Sequence, residues 1–242
     1  MAYDAVEVRP EGLAALLDGL GPEWVGLSLT MPLKQQVLPL LDTVSDLAVA
    51  TGAANTVVLS AQGRAGDNTD VHGIVAALAE AGVDRVERSV VVGAGATAAS
   101  ALAALERLGD PAPVVLVREP ARAAGLLEAA ARLGVDPVVE RLDPDVLADA
   151  QVVVSTVPAG ALDALAADLP RCPGVLLDVV YDPWPTALAR AWAGPVVGGA
   201  AMLLHQAARQ VELMTGHPAP LARMRAALAP SLLSSPGTSP PK

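Results

Sequence analysis

The chain has 242 residues, of which 52% are hydrophobic and 17% charged, and its formal net charge is −10. This composition excludes a disordered chain and predicts a globular α/β protein with a buried core. The negative charge argues against nucleic acid and against an anionic membrane surface as partners, because both are bound by clustered Lys and Arg.

The first third of the chain predicts short strands and helices in alternation. We expect a strand over residues 3–8, a helix over 11–19, a buried strand over 24–30, a helix over 32–41 and a short helix over 46–51. Residues 55–68 predict a β-hairpin that turns near Gln62 and Gly63. Such a turn places Asn55 opposite Asn68, so that two Asn-Thr pairs meet at the open end of the hairpin.

The rest of the chain predicts a parallel sheet. A helix is expected from Asp70 to about Gly82, then strands over 89–92, 113–117, 138–141, 151–155 and 175–180. Between these strands, one helix is expected to end at Gly109 and another to span 121–133, and a last helix is expected over 202–216. Near-continuous Val and Leu runs are typical of strands covered on both faces. The Pro- and Ser-rich tail from Ser231 predicts disorder.

A glycine-rich loop follows the strand at 89–92 and opens a helix with a buried face. In its G-x-G-x-x-A pattern, Gly93 suits a tight turn, Gly95 lets a pyrophosphate approach the backbone, and Ala98 allows close helix–strand packing. The anion then meets free N–H groups at the helix N-terminus. The pattern predicts a dinucleotide site formed by Gly93, Ala94, Gly95, Ala96, Thr97 and Ala98. A glycine-rich turn without a ligand is the alternative.

The residues after the next strand bear on which dinucleotide is bound. Arg118 and Arg122 suit a 2′-phosphate, the NADP solution, through charge-assisted hydrogen bonds. Glu119 suits a ribose hydroxyl, the NAD solution. Two arginines against one carboxylate favour NADP, while ordinary surface charges remain the alternative.

Lys34 lies in the first turn of a predicted helix, where the positive end of the helix dipole disfavours a cation. A residue that breaks a local rule is a functional candidate, and a solvated lysine is the alternative. The single cysteine, Cys172, and three scattered histidines predict neither a disulfide framework nor a metal site. Without a signal peptide or a membrane-length apolar run, we expect a cytoplasmic protein.

Eight short motifs resemble, in order, those of shikimate dehydrogenases. They are GLSLTMPLK at 26–34, GAANTV at 52–57, DNTD at 67–70, GAGATA at 93–98, REPAR at 118–122, STVP at 155–158, DVVYDP at 178–183 and GAAMLLHQ at 199–206. The resemblance implies a catalytic pair, Lys34 and Asp70. It implies substrate contacts from Ser28, Thr30, Asn55, Thr69, Tyr181 and Gln206. Besides the loop and the two arginines, it implies cofactor contacts from Thr156, Val157, Gly199 and Met202.

The resemblance also implies two α/β domains around a cleft. A substrate domain would comprise 1–69 and 203–242, the C-terminal helices returning to it, and a Rossmann-like NADP-binding domain would comprise 70–202. The implied reaction is the reversible reduction of 3-dehydroshikimate to shikimate with NADPH, in aromatic amino-acid biosynthesis. We expect a monomer or a homodimer.

Two other functions stay open. One is a quinate- or shikimate-type dehydrogenase that uses NAD, favoured by Glu119. The other is a truncated, non-catalytic nucleotide-binding remnant. It is favoured because the family begins with a strand and an S-x-S loop that binds the substrate carboxylate, and that motif is absent here. We therefore expect that a βα unit of roughly 25–30 residues is missing.

Overall fold

The computed structural model describes residues 2–228, which form two β-sheets and ten α-helices. The first sheet has the strand order β1-β3-β4-β2, with β1 at Gly26–Ser28, β2 at Thr43–Val44, β3 at Thr56–Ser60 and β4 at Gly63–Asp67. β3 runs antiparallel to β1 and β4, and β2 runs parallel to β4. Helices α1 (Leu13–Gly19), α2 (Leu33–Gln36) and α3 (Asp46–Thr51) accompany this sheet, and their Leu and Ala side chains help to form its small core.

The second sheet has six parallel strands in the order β10-β9-β8-β5-β6-β7. Their bounds are β5 Ser89–Val92, β6 Val114–Val117, β7 Val138–Arg141, β8 Val152–Ser155, β9 Val175–Asp178 and β10 Val196–Gly198. Numbered along the chain from β5, this is the doubly wound order 3-2-1-4-5-6. Apolar clusters cover both faces, as the Val and Leu runs predict. Because the strand order reverses between β5 and β8, a ligand crevice is expected at their carboxyl ends.

The remaining helices are α4 Asp70–Glu80, α5 Ala96–Arg107, α6 Ala124–Leu133, α7 Asp163–Ala167, α8 Ala187–Ala191, α9 Gly199–Thr215 and α10 Leu221–Ala227. α4 leaves the first sheet for the second, and α9 follows the last strand of the second sheet and packs along α4. A Cβ at Gly73 of α4 would lie 2.8 Å from the carbonyl oxygen of Met202 and 3.0 Å from Cβ of Gln206. The missing side chain therefore allows a close helix contact, which brings the start of α4 next to Gln206.

The predicted hairpin is confirmed. Thr56 pairs with Asp67 and Ser60 with Gly63, so Asn55 and Asn68 lie opposite each other at the open end. The predicted strand at 3–8 is wrong, since these residues form no ladder and are mostly exposed. A strand needs a hydrogen-bonding neighbour, and no described strand lies beside this segment. Alternating side chains alone did not decide its structure.

Several element boundaries also differ from the predictions. The helix predicted over 32–41 is interrupted, with α2 ending at Gln36 and a 3₁₀ turn at Leu38–Leu40, because Pro39 has no N–H for the helical ladder. The strand predicted over 24–30 has three residues, at an edge of its sheet. The helix predicted over 121–133 opens with a 3₁₀ turn at Pro120–Ala123. The predicted disordered tail lies outside the described residues.

The strand predicted over 175–180 ends at Asp178, whose carboxylate accepts a hydrogen bond from the Val180 N–H and turns the chain. The last long helix begins at Gly199 rather than at Met202. Its N-terminus packs so closely on the turn that a Cβ at Gly199 would lie 2.0 Å from the Val179 carbonyl oxygen. Within residues 2–228, no helix has the length and apolar character needed to cross a membrane.

Candidate active site

A buried amide organises the open end of the β3–β4 hairpin. Asn55 Nδ2 donates to Asp70 Oδ1 at 2.8 Å and to Gln206 Oε1 at 3.1 Å. Asn55 Oδ1 accepts from the Thr69 N–H at 2.8 Å and from the Thr56 hydroxyl at 2.8 Å. One side chain thus joins the hairpin, the start of α4 and the middle of α9, and it fixes one oxygen of Asp70.

The other oxygen of Asp70 holds Lys34. Lys34 Nζ donates to Asp70 Oδ2 at 2.6 Å, and the two side chains are 15% and 6% exposed. Asp70 is the first residue of α4, where the free N–H groups of an eleven-residue helix favour a carboxylate. Lys34 lies on a helix of only four residues, so the opposing helix dipole is small, and Asp70 offsets the cost of its partial burial. Two of its three N–H groups remain for a ligand.

Of the other predicted residues, Thr69 and Gln206 belong to the Asn55 network, and Ser28 and Thr30 lie at and just after the end of β1, which pairs with β3. Ser28 is the register partner of Thr56, and the Leu29 N–H donates to the Asn55 carbonyl at 2.7 Å. The exposed residues Ser28 and Thr30 therefore lie on either side of Leu29, the residue that is hydrogen-bonded to Asn55. Gln206 also accepts from the Thr69 hydroxyl at 3.4 Å.

Tyr181 lies in the loop after β9 and is 45% exposed. Among the described residues it makes no hydrogen bond to this network. The loop is anchored by buried Asp178, which accepts from the Thr186 hydroxyl at 2.7 Å and the Val180 N–H at 3.2 Å. Burial raises the pKa of the Asp178 carboxyl, and these hydrogen bonds oppose the shift.

Two residues outside the predicted site hold it together: Gln210, which the sequence reasoning missed, and Asn68, which it placed at the open end of the hairpin without a role. Gln210 Nε2 donates to the Asn55 carbonyl and the Thr56 hydroxyl, both at 3.1 Å. Asn68 Nδ2 donates at 3.0 Å to the hydroxyl of Ser100 on α5, which links the hairpin to the second sheet. A signal existed for Gln210, because it lies one helical turn after Gln206 and faces the same way.

The glycine-rich loop lies at the switch point of the second sheet. Gly93 has φ +116°, and a Cβ there would lie 2.5 Å from Thr156 Oγ1, so the turn requires glycine. Thr156 in turn donates to the Val92 carbonyl at 2.9 Å. Gly95 is different: its φ is −89°, and a Cβ would meet nothing within 4 Å. No side chain caps the helix there, so open space faces the free N–H groups of Ala96, Thr97 and Ala98.

A cleft of about 730 Å³ opens beside this loop, at the carboxyl ends of β5, β6 and β7. Its charged lining is Arg118, Glu119, Arg122 and Arg141, and its apolar lining includes Leu116, Leu142, Val157, Ala161 and Leu162. Arg122 Nε lies 3.6 Å from Glu119 Oε2, on exposed side chains. Arg141 was not singled out by the sequence reasoning, although it ends a strand next to β6.

Gly199 and Met202, also predicted to contact the cofactor, lie outside this cleft. They belong to the first turn of α9, where the Gly199 N–H donates to the Val180 carbonyl at 3.2 Å and Met202 is buried. In the sequence, they come after the residues that line the cleft and before Gln206. Across residues 2–228, no group of three or more His, Cys, Asp or Glu side chains is arranged to hold a metal ion. Burial raises the pKa of the Cys172 thiol, which fits an inert core thiol.

Comparison with known proteins matches both ends of the chain to family models. Residues 1–57 match the shikimate dehydrogenase substrate binding domain, and residues 199–229 match the shikimate 5′-dehydrogenase C-terminal domain. A relative from Thermosynechococcus vestitus, named shikimate dehydrogenase (NADP(+)), is 35% identical over 238 residues, covering 93% of this chain and 83% of that protein.

Two solved structures extend the comparison. Shikimate dehydrogenase of Mycobacterium tuberculosis has a TM-score of 0.84 and 40% identity, covering 92% of this chain and 86% of that one. Quinate dehydrogenase of Corynebacterium glutamicum in complex with NAD has a TM-score of 0.76 and 35% identity, covering 88% and 81%. With identities of this size over most of both chains, the chain belongs to the shikimate dehydrogenase family.

Proposed function

We propose that the chain is an NADP-dependent shikimate dehydrogenase, which reduces 3-dehydroshikimate to shikimate and catalyses the reverse reaction. The observation that carries the proposal is the Lys34–Asp70 pair, with a 2.6 Å contact at the junction of the hairpin, α4 and α9. The name of the T. vestitus relative supports both the substrate and the cofactor.

The described residues fit a dinucleotide. The switch-point crevice, the open space at Gly95 and the uncapped start of α5 suit a pyrophosphate. The apolar wall around Leu142 and Leu162 suits an adenine ring, and Arg118 with Arg122 suits a 2′-phosphate. Glu119 is a weaker competitor than in the sequence alone, because Arg122 lies within ion-pair distance of it.

The proposed chemistry divides between the cofactor and the chain. When bound, NADPH supplies the hydride that adds to the substrate carbonyl carbon. Lys34 donates a proton to the carbonyl oxygen as negative charge develops there, and in reverse it accepts that proton from the hydroxyl. Asp70 holds the ammonium in place, because one of its oxygens accepts from Lys34 and the other is fixed by Asn55.

Polar groups around the pair would bind the hydroxyls and the carboxylate of the ring. Gln206 and Thr69 combine donors and acceptors, as a polyhydroxylated substrate requires. Ser28 and Thr30 present exposed hydroxyls from the end of β1, and Tyr181 would approach from the loop after β9. These substrate and catalytic assignments remain proposals.

We also propose the domain division into 1–69 with 203–242, and 70–202. The presence of two separate sheets supports it. The boundary at residue 203 falls inside α9, however, so the start of this helix would belong to the nucleotide domain and the rest of it, with Gln206, to the substrate domain. The cytoplasmic location and the monomeric or homodimeric state remain predictions.

A second candidate is a quinate-type dehydrogenase that uses NAD. Glu119 in the cleft favours it, and so does the 35% identity to a quinate dehydrogenase solved with NAD. The binding network does not discriminate the two acids, because it consists of general donors and acceptors.

The test is a matrix of steady-state rates with the 242-residue chain, pairing shikimate or quinate with NADP⁺ or NAD⁺. The proposal expects the highest kcat/KM for shikimate with NADP⁺. A maximum for quinate with NAD⁺ would replace it with the second candidate. No turnover of either acid, in a chain that binds NADP⁺ and melts cooperatively, would favour the non-catalytic remnant.

A further inference from the structure

The third arginine of the nucleotide cleft, Arg141, comes from a strand outside the glycine-rich and REPAR motifs. Arg141 is the last residue of β7 and the register partner of Val117, the residue before Arg118. The next N–H, of Leu142, donates to the Val117 carbonyl at 2.9 Å. The backbone of Arg141 is thus fixed beside the strand that carries Arg118 into the cleft.

The charges of the cleft are not equally available to a ligand. Arg122 lies 3.6 Å from Glu119, so each partly neutralises the other. Within residues 2–228, no carboxylate lies within ion-pair distance of Arg118 or Arg141, and both line the cleft and are exposed. Two unpaired guanidinium groups therefore border the same cleft on neighbouring strands.

An exposed arginine on an edge strand has an ordinary explanation, since β7 is the edge of its sheet and charge there discourages edge-to-edge pairing. For that purpose, a charged side chain at any position along the edge strand would serve. It does not account for a position at the carboxyl end, where the side chain lines the cleft with Arg118 and Arg122.

We propose that Arg141 is a specificity-determining residue, whose guanidinium binds the 2′-phosphate of the adenosine ribose together with Arg118. The inference rests on the proposed NADP preference and deepens it. A guanidinium donates two parallel hydrogen bonds to a phosphate, and two such groups on adjacent strands can clasp it from two directions. The Glu119–Arg122 pair then lies beside the phosphate with little net charge of its own.

The test is calorimetric titration with 2′,5′-ADP and with 5′-ADP, which share the adenosine and differ in the 2′-phosphate. Arg141→Gln should weaken 2′,5′-ADP binding about tenfold, the low end for a charged hydrogen bond because the site is open to solvent. Binding of 5′-ADP should be unchanged. Arg141→Lys should recover part of the loss, since it keeps the charge without the planar fork.

A control variant and a salt titration complete the design. Arg223→Gln removes the same charge from the exposed face of α10, outside the cleft, and should change neither affinity. If Arg141 contacts the phosphate directly, Arg141→Gln should lower the salt dependence of 2′,5′-ADP binding, because salt screens a charge–charge contact. A purely structural role of Arg141 would leave that dependence as it is in the wild type.

The outcomes separate the inference from the function on which it rests. Equal wild-type affinity for 2′,5′-ADP and 5′-ADP overturns the NADP preference, and the inference with it. If the wild type prefers 2′,5′-ADP and Arg118→Gln abolishes the preference while Arg141→Gln keeps it, the function stands and the inference is overturned. Loss of the preference in Arg141→Gln, with the Arg223→Gln control intact, supports the inference.

Discussion

Replacing Asn55 by alanine should destabilise the protein and disconnect its catalytic pair. Two groups lose their partner in Asn55→Ala, the Asp70 Oδ1 oxygen and the Thr69 N–H. The other three partners of the amide keep a hydrogen bond: Gln206 Oε1 and the Thr69 hydroxyl keep the one they share, and the Thr56 hydroxyl still accepts from Gln210. A buried charged acceptor left unpaired costs about 1.5–3 kcal/mol and a neutral donor about 1–3 kcal/mol, and water that enters the new space reduces the sum, so we expect about 3 kcal/mol.

The assay is thermal unfolding followed by circular dichroism. For a chain of this length 1 kcal/mol corresponds to about 2–4 °C, so Tm should fall by roughly 6–12 °C. Ser60→Ala, in the exposed closed end of the same hairpin, is the control and should change the stability by less than about 0.5 kcal/mol. If Asn55→Ala melts within about 2 °C of the wild type, the amide does not hold Asp70 in the way described.

Three further predictions concern other positions. Gly95→Ala should leave Tm nearly unchanged but weaken NADP⁺ binding at least about tenfold in a fluorescence titration, because its Cβ enters only the open pyrophosphate space. Gly125→Ala on α6, where a Cβ also meets nothing within 4 Å, is the control, and an unaltered affinity in Gly95→Ala would count against the site. Gly73→Ala should cost about 1–3 kcal/mol in denaturant unfolding, since its Cβ meets the Met202 carbonyl oxygen at 2.8 Å, and a neutral result would mean that α4 and α9 separate easily. Burial raises the pKa of Asp178, so the contribution of this group to stability is present below the unfolded-state pKa and falls as pH rises through the folded-state pKa. The Tm of the wild type relative to that of Asp178→Asn should therefore decrease above pH about 4, and a Tm difference that is constant with pH would contradict the assignment.

The sequence was sufficient to predict an element where its local pattern and its tertiary environment favour the same structure. The turn chemistry near Gly63 predicted the register that sets Asn55 opposite Asn68, and the Val runs predicted a sheet buried on both faces. The pattern at 3–8 failed because a strand depends on a neighbour as well as on its own residues. The helix predicted over 32–41 took no account of Pro39, which has no N–H for the helical ladder, and the structure has α2 and a separate 3₁₀ turn there.

The candidate site shows the same division. Short motifs identified Lys34, Asp70, Asn55 and Gln206, and the structure brings all four into one network. Arg141 and Gln210 belong to no motif. The spacing from Gln206 puts Gln210 on the same face of its helix, but its contact with Asn55 depends on how that helix packs. The place of Arg141 beside Val117 depends on strand order, and a single sequence reveals neither contact.

The central claim is that Lys34 transfers the proton in an NADP-dependent oxidation of shikimate. The most direct measurement is NADPH formation by Lys34→Ala at saturating shikimate and NADP⁺, together with the NADP⁺ dissociation constant of the same variant. General acid–base groups contribute on the order of 10²–10⁴-fold, so kcat should fall by that factor while the dissociation constant stays the same, because Lys34 lies outside the nucleotide cleft. Turnover within about twofold of the wild type, with Asp70 left without its cation, would contradict the claim and return Lys34 to a structural ion pair.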